Sequence, residues 1–191
     1  MSPVVLRGRI VTLRPFRDDE IDVLLAIYGA LPTDDGIHHQ ETPNRESVGS
    51  RVADSGTWSD GPAGLMLAID AADRLVGEIQ ARGGRAQLLP PGVFELGIEV
   101  FDPAERGRGI GSAALVEITR YLFDEEDAHR VQLSTDVDNG PMRGAAARAG
   151  FLYEGVLRRF MPTREGPRDY AMFAVTRDDY EDGKGLWTST G

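Results

Sequence analysis

Apolar and polar residues alternate most regularly over residues 94–101, where Phe94, Leu96, Ile98 and Val100 are separated by Glu95, Gly97 and Glu99. That period of two predicts a strand with one face turned to a core. Shorter runs predict strands at 10–15 (stopped by Pro15), 65–69, 75–81, 131–135, 151–160 and 169–176. The polar link 70–73 is short enough to join its two neighbours as an antiparallel hairpin. Helical spacing takes over elsewhere. Leu24, Ile27 or Tyr28, and Leu31 follow the acidic start Asp18-Asp19-Glu20, which suits the positive end of a helix dipole, and Pro32 ends the pattern. A weaker helix is predicted at 45–54. A stronger one follows Gly111, with Ala114, Leu115, Ile118, Tyr121 and Leu122 on one stripe and Glu117, Arg120 and Asp124 outside it. A short helix at 139–149 closes on Gly150. The polar stretch after Pro32 and residues 82–92, with Gly83-Gly84 and Pro90-Pro91, read as loops. Strands and helices in this order predict a single α/β (mixed α+β) domain over residues 1–177, with 178–191 as a polar tail that frays.

Composition narrows the chemistry. Twenty-one basic against 31 acidic residues give a net charge of −10. This disfavours a sequence-tolerant grip on nucleic acid, which rests on Lys and Arg neutralising phosphates, and draws in cationic substrates such as amines. With no cysteine, the 191 residues hold no disulfide, no Cys-ligated metal and no thiol nucleophile. Three histidines, His38, His39 and His129, are few for a metal site, and none is expected. The first residues lack the apolar stretch of a signal peptide, and no run approaches a membrane span. A cytoplasmic protein with no membrane partner, monomeric or homodimeric, is expected.

One turn carries chemistry. Arg106-Gly107-Arg108-Gly109-Ile110-Gly111 lies between the best strand and the best helix. Glycines there let the backbone approach an anion closely, and the unsatisfied amides of a helix start favour negative charge. A Gly-rich hexamer is, taken alone, more often a packing turn, and neither a P-loop nor a dinucleotide fingerprint is complete here. Its setting raises its weight: a right-handed crossover from 94–101 through the helix to 131–137 puts the two strands parallel. After the second strand, Asn139 caps a helix or turns its amide to a ligand.

The run Phe101-Asp102-Pro103-Ala104-Glu105-Arg106-Gly107-Arg108-Gly109-Ile110-Gly111-Ser112-Ala113-Ala114-Leu115, then Asp138-Asn139 and Ala149-Gly150-Phe151, resembles the GNAT superfamily of N-acetyltransferases. Residues 151–158 with Arg168-Asp169 are similar to its ribosomal-protein-alanine N-acetyltransferase subgroup. The resemblance implies a mostly antiparallel sheet whose central parallel βαβ unit splays to hold acetyl-CoA. The pyrophosphate would lie on Arg106, Gly107, Arg108, Gly109, Ile110 and Gly111. Backbone groups of Ile98, Glu99 and Val100 would bind the pantetheine arm, an amide near Val100 would polarise the thioester carbonyl, and Asn139 would contact the cofactor. Glu95 matches the glutamate base of some members, and Glu99 lies on the same strand face; both are also readable as solvated carboxylates.

Two positions depart from the family pattern. The general-acid tyrosine of many members falls on Ala146, and a serine of the subgroup falls on Met142. Tyr153 is a substitute acid or a half-buried strand tyrosine. The implied activity is direct acetyl transfer from acetyl-CoA to a primary amine, preferentially a protein N-terminal α-amine, whose pKa near ~8 asks less of a weak base than lysine. A small amine (antibiotic or polyamine), a non-catalytic acyl-CoA-binding module and an unrelated nucleotide binder stay open. His38-His39 read as solvated, Trp58 and Trp187 as packing residues, and Arg158, Arg159 and Arg164 as surface ion pairs or contacts to an anion. Arg143 and Arg148 are candidates for a phosphate contact.

Overall fold

In the computed structural model, which describes residues 2–30, 43–59, 64–83 and 89–183, the alternating segments form one eight-stranded sheet. The strands are β1 (Leu6–Arg7), β2 (Thr12–Arg14), β3 (Leu65–Ala71), β4 (Arg74–Gly83), β5 (Val93–Val100), β6 (Arg130–Asp136), β7 (Leu152–Met161) and β8 (Arg168–Thr176). Their order is β1-β2-β3-β4-β5-β6-β8-β7. Only β5 and β6 run parallel among the described pairs; every other neighbour is antiparallel. The helices are α1 (Ile21–Ala30), α2 (Arg45–Asp54), α3 (Ile110–Glu125), α4 (Gly140–Arg148) and α5 (Arg177–Asp182).

Two cores sandwich the sheet. On one face α3 buries Ala114, Leu115, Ile118 and Leu122 against Ile79, Phe94, Leu96, Val131 and Leu133. On the other, α1 and α2 bury Leu24, Val48 and Val52 against Phe16, Met66 and Ala68. Alternation along β5 therefore assigns Phe94, Leu96, Ile98 and Val100 to the α3 side and Glu95, Gly97, Glu99 and Phe101 to the α1–α2 side.

Several expected boundaries move. The 65–81 hairpin is longer, because Ala72 and Asp73 alone turn the chain, both with positive φ (51° and 59°). β4 reaches Gly83, so Arg82 is a strand residue and not part of the loop. Glu117, expected outside the α3 stripe, is buried: the backbone at Gly8 crosses it so closely that a Cβ there would collide with its carboxylate, while Arg120 Nη2 holds it at 2.6 Å. The fraying tail expected from residue 178 begins instead as α5. Thr176 caps that helix through the Asp179 amide, and Tyr180 is buried, stacks on Phe123 at 4.6 Å and donates to Asp124 at 3.0 Å. Leu31, Pro32, the His38-His39 pair and Trp187 lie outside the described residues.

Candidate active site

β5 and β6 are paired over three positions only, Val93 with Arg130, Phe94 with Val131, and Glu95 with Gln132. Beyond Glu95 they part. β5 goes on pairing with β4 as far as Val100, and β6 with β8 as far as Asp136. Among the described residues, the β6-facing backbone edge of Leu96, Gly97, Ile98, Glu99 and Val100 has no strand partner. An extended ligand can add to such an edge by main-chain hydrogen bonds.

The Gly-rich turn closes the open end of this slot. Gly107 and Gly109 both take positive φ (78° and 83°), and Gly109 is the N-cap of α3 with no side-chain cap. A Cβ on either glycine would meet no atom within 4 Å, so the space before the turn is open. Among the described residues, the amides of Gly107 through Ser112 have no backbone acceptor. Six donors, open space and a helix N-terminus suit a diphosphate. α4 approaches α3 so closely that a Cβ on Gly111 would sit 3.8 Å from Ala145 Cβ; the small residues Ala145 and Ala146 permit this contact.

Arginines around the turn divide. Arg106 is exposed, and its Nη2 is 3.4 Å from Val100 O. Arg108 is committed to a neighbour, since Glu105 accepts from Arg108 Nη1 at 2.8 Å and from Arg74 Nη2 at 2.6 Å. Asn139 caps α4, its Oδ1 accepting from the Met142 amide at 3.1 Å. Among the described residues, its side-chain NH2 has no hydrogen-bond partner. Arg143 Nη1 donates to Val137 O at 2.9 Å. Ala146 is fully buried and Met142 packs on the α3-side core, so the two positions that depart from the family pattern carry no proton donor. Tyr153 lies on β7, two strands from the slot, with its ring 5.5 Å from Phe173. Trp58 is a packing residue, 5.6 Å from Phe94, and its indole N–H donates to Glu126 at 2.7 Å.

Glu95 occupies the last paired position, where the strands part. Arg82 Nη2 donates to Glu95 Oε1 at 3.2 Å, and Gln132 Nε2 to Oε2 at 3.3 Å. Glu99, four residues on and on the same face, lines a concavity of about 700 Å³ with Asp22, Val23, Ala26, Ile27 and Phe101. Beside it on β4, Glu78 accepts from Tyr28 Oη at 2.5 Å and from Arg51 Nη2 at 2.6 Å, and the Arg51 guanidinium lies 4.9 Å over the Tyr28 ring. Burial first, then the Glu78 charge, pushes the Tyr28 hydroxyl far above its ordinary range, so it is a neutral donor at physiological pH.

Sequence reasoning did not single out Arg82, Gln132, Tyr28, Arg51 or Glu78. The β6 alternation, with Gln132 and Ser134 on its polar face, was the available signal for Gln132; Tyr28 carried only a helical-spacing signal, and the partnership of Arg51 with Glu78 spans 27 residues of sequence. Among the described residues, no helix is long and apolar enough to cross a membrane, and no three His, Asp or Glu side chains could hold a metal ion.

Residues 11–152 match the family described as acetyltransferase (GNAT) domain. The chain belongs to the GNAT acetyltransferase family. It is 32% identical over 164 residues to a mycothiol acetyltransferase of Pseudarthrobacter chlorophenolicus, covering 82% of this chain and 47% of that one. A mycothiol acetyltransferase of Arthrobacter sp. is 34% identical over 116 residues, 60% of this chain and 35% of the relative. The chain thus spans less than half the length of these curated relatives. In fold, it is similar to Mycobacterium smegmatis RimJ in complex with CoA-disulfide, with a TM-score of 0.72, 24% identity and coverage of 93% of this chain and 88% of that one. The microcin C7 self-immunity acetyltransferase MccE, solved with acetyl-CoA and AMP, gives a TM-score of 0.70 at 16% identity, covering 88% and 93%.

Proposed function

We propose that this chain transfers an acetyl group from acetyl-CoA to a primary amine by direct attack. The observation that carries this reading is the slot between β5 and β6, open beyond Glu95 and closed by six amides with no backbone acceptor at the start of α3. In this reading the Gly107–Ser112 amides with Arg106 hold the diphosphate, the free edge of Ile98, Glu99 and Val100 binds the pantetheine arm, and Asn139 contacts it from the far wall. Bound acetyl-CoA supplies an activated acyl group. The chain aligns it, offers a backbone amide near Val100 to the carbonyl oxygen, and takes the proton from the amine; the C–N bond forms as the C–S bond breaks, and CoA leaves as a thiolate that solvent protonates. Glu95 is the proton acceptor, reached directly or through one water, and Glu99 holds the incoming cation at the mouth of the concavity. The absence of cysteine removes the thiol as a carrier of the acyl group, which favours direct attack.

A protein N-terminal α-amine is the favoured acceptor. With a pKa near that pH, about half of it is neutral at pH ~8, far more than of a lysine, so a carboxylate suffices as base. The concavity supports an amine attached to an apolar body, since acidic Asp22 and Glu99 flank Val23, Ala26, Ile27 and Phe101. The relatives named mycothiol acetyltransferase favour a small-molecule amine as the second reading. A thiol-release assay with acetyl-CoA and a panel of amines separates these: a short peptide with a free N-terminus, spermidine and an aminoglycoside. Turnover is expected with the peptide first. Binding of CoA with no turnover of any amine would reduce the chain to an acyl-CoA-binding module, and thermal stabilisation by ATP but not by CoA would remove the slot assignment altogether.

A further inference from the structure

A series of polar side chains crosses the α1–α2 face of the sheet from its edge to β4. Glu154 on edge strand β7 accepts from Arg130 Nη1 and Nη2 at 2.8 and 2.6 Å. Arg130, on β6, reaches Glu154 over β8, and its Nε donates to Gln132 Oε1 at 2.8 Å. Gln132 Nε2 then donates to Glu95 Oε2 at 3.3 Å, and Arg82, on β4, completes the series at Glu95 Oε1.

A guanidinium can only donate. Gln132 must therefore turn its oxygen to Arg130, which leaves its NH2 facing Glu95. The opposite amide orientation would set donor against donor at Arg130 and oxygen against oxygen at Glu95. We infer that Gln132 and Arg130 are positioning residues for the carboxylate where the slot opens: Arg130, pinned by Glu154, fixes the direction of the Gln132 amide, and the amide fixes Glu95. Glu95 Oε1 is thus held from β4 and Oε2 from β6, while the remaining lone pairs are available to the acceptor amine. This inference rests on the role proposed for Glu95.

The test uses the full chain and the best amine from the panel, with Glu95→Gln, Gln132→Met, Gln132→Glu and the double variant E95Q/Q132M. Glu95→Gln is expected to lower kcat about 100-fold, the lower end of a general base's contribution. Gln132→Met should lower kcat roughly tenfold, an order-of-magnitude expectation for one lost donor to a charged group, with KM for acetyl-CoA and the melting temperature unchanged. Gln132→Glu keeps a partner for Arg130 but turns an acceptor on Glu95, and should lose more than Gln132→Met. The double variant should match Glu95→Gln alone, because losses through one group do not multiply. Parental kcat in Gln132→Met, or a double variant that loses the product of the two, overturns the inference while leaving Glu95 in place. Parental kcat in Glu95→Gln removes the role of Glu95 itself. A readout independent of turnover is the Gln132 side-chain amide in 1H–15N spectra, which should shift in Glu95→Gln; an unmoved resonance also overturns the inference.

Discussion

Replacing Gly109 by alanine separates what the turn does for folding from what it does for a ligand. At Gly109 φ is 83°, and an added Cβ meets no atom within 4 Å. Stability therefore changes only through the backbone: a left-handed L-residue costs about 1–2 kcal/mol. For a domain of this size that is roughly 2–8 °C in Tm, at about 2–4 °C per kcal/mol. CoA binding has more to lose. If the backbone of the Gly109→Ala variant relaxes toward negative φ at this position, the amides at the start of α3 rotate away from their common focus. Each charge-assisted hydrogen bond lost is worth about 1.5–3 kcal/mol, or roughly 10- to 150-fold in Kd. Gly111→Ala is the control. Its Cβ would find Ala145 at an ordinary 3.8 Å, and its φ lies outside the left-handed region. Alanine inside a helix is favoured over glycine by about 0.5–1 kcal/mol, so Tm should hold or rise slightly, and CoA binding should be retained because the backbone keeps its conformation. Calorimetric titration with CoA and thermal unfolding without it measure both quantities. A Gly109→Ala protein whose Tm is unchanged, the strain having been relieved by rotation of this backbone, yet which binds CoA within threefold of the parent would refute the assignment of these amides to the diphosphate.

Two further outcomes concern stability. Arg14 is buried with Glu20 and Asp70 and bonds to them at 2.6 and 2.8 Å; burial opposes its charge, and the two carboxylates more than compensate, raising its pKa. Arg14→Leu leaves Asp70 to Arg17 Nη2 at 3.3 Å and Glu20 to the Arg17 amide at 2.8 Å, and should cost about 3 kcal/mol, the lower end for a broken buried pair, seen as a Tm lower by roughly 6–12 °C; a loss under about 2 °C, the shift expected for less than 1 kcal/mol, would show that the site admits water freely. The Thr176 hydroxyl and amide donate to Asp179 at 2.6 and 2.9 Å and hold its carboxyl below the ordinary value. Because the folded pKa is the lowered one, this stabilisation is complete above the unfolded value near ~4 and disappears as pH falls through the folded value. Asp179→Asn should lower Tm at pH 7, and the gap from the parent should close progressively as pH falls below the unfolded value of about 4, as urea or thermal melts over a pH series will show.

Local pattern made much of the candidate site legible. The 94–101 alternation gave a strand on which Glu95 and Glu99 share a face, and Arg106-x-x-Gly109-x-Gly111 gave a turn with positive φ at Gly107 and Gly109. The helix at 45–54 and the Asn139 cap were equally local, since a cap depends on residues three apart. Where an expectation failed, a distant segment had overruled the local one. Glu117 looked like a solvent-facing helix residue until the chain at Gly8 crossed it, and residues 178–182 looked like a tail until Tyr180 found Phe123.

The sequence by itself determined most of the elements, the Gly-rich turn between β5 and α3 and the absence of a thiol, because propensity, period and composition act over a few neighbouring residues. Tertiary structure decided that β8 inserts between β6 and β7, that β5 and β6 part after Glu95, and that Arg82, Gln132, Arg130 and Glu154 converge in one series. Strand order and hydrogen-bond direction come from pairing segments tens of residues apart, and no local window holds both partners of such a pair.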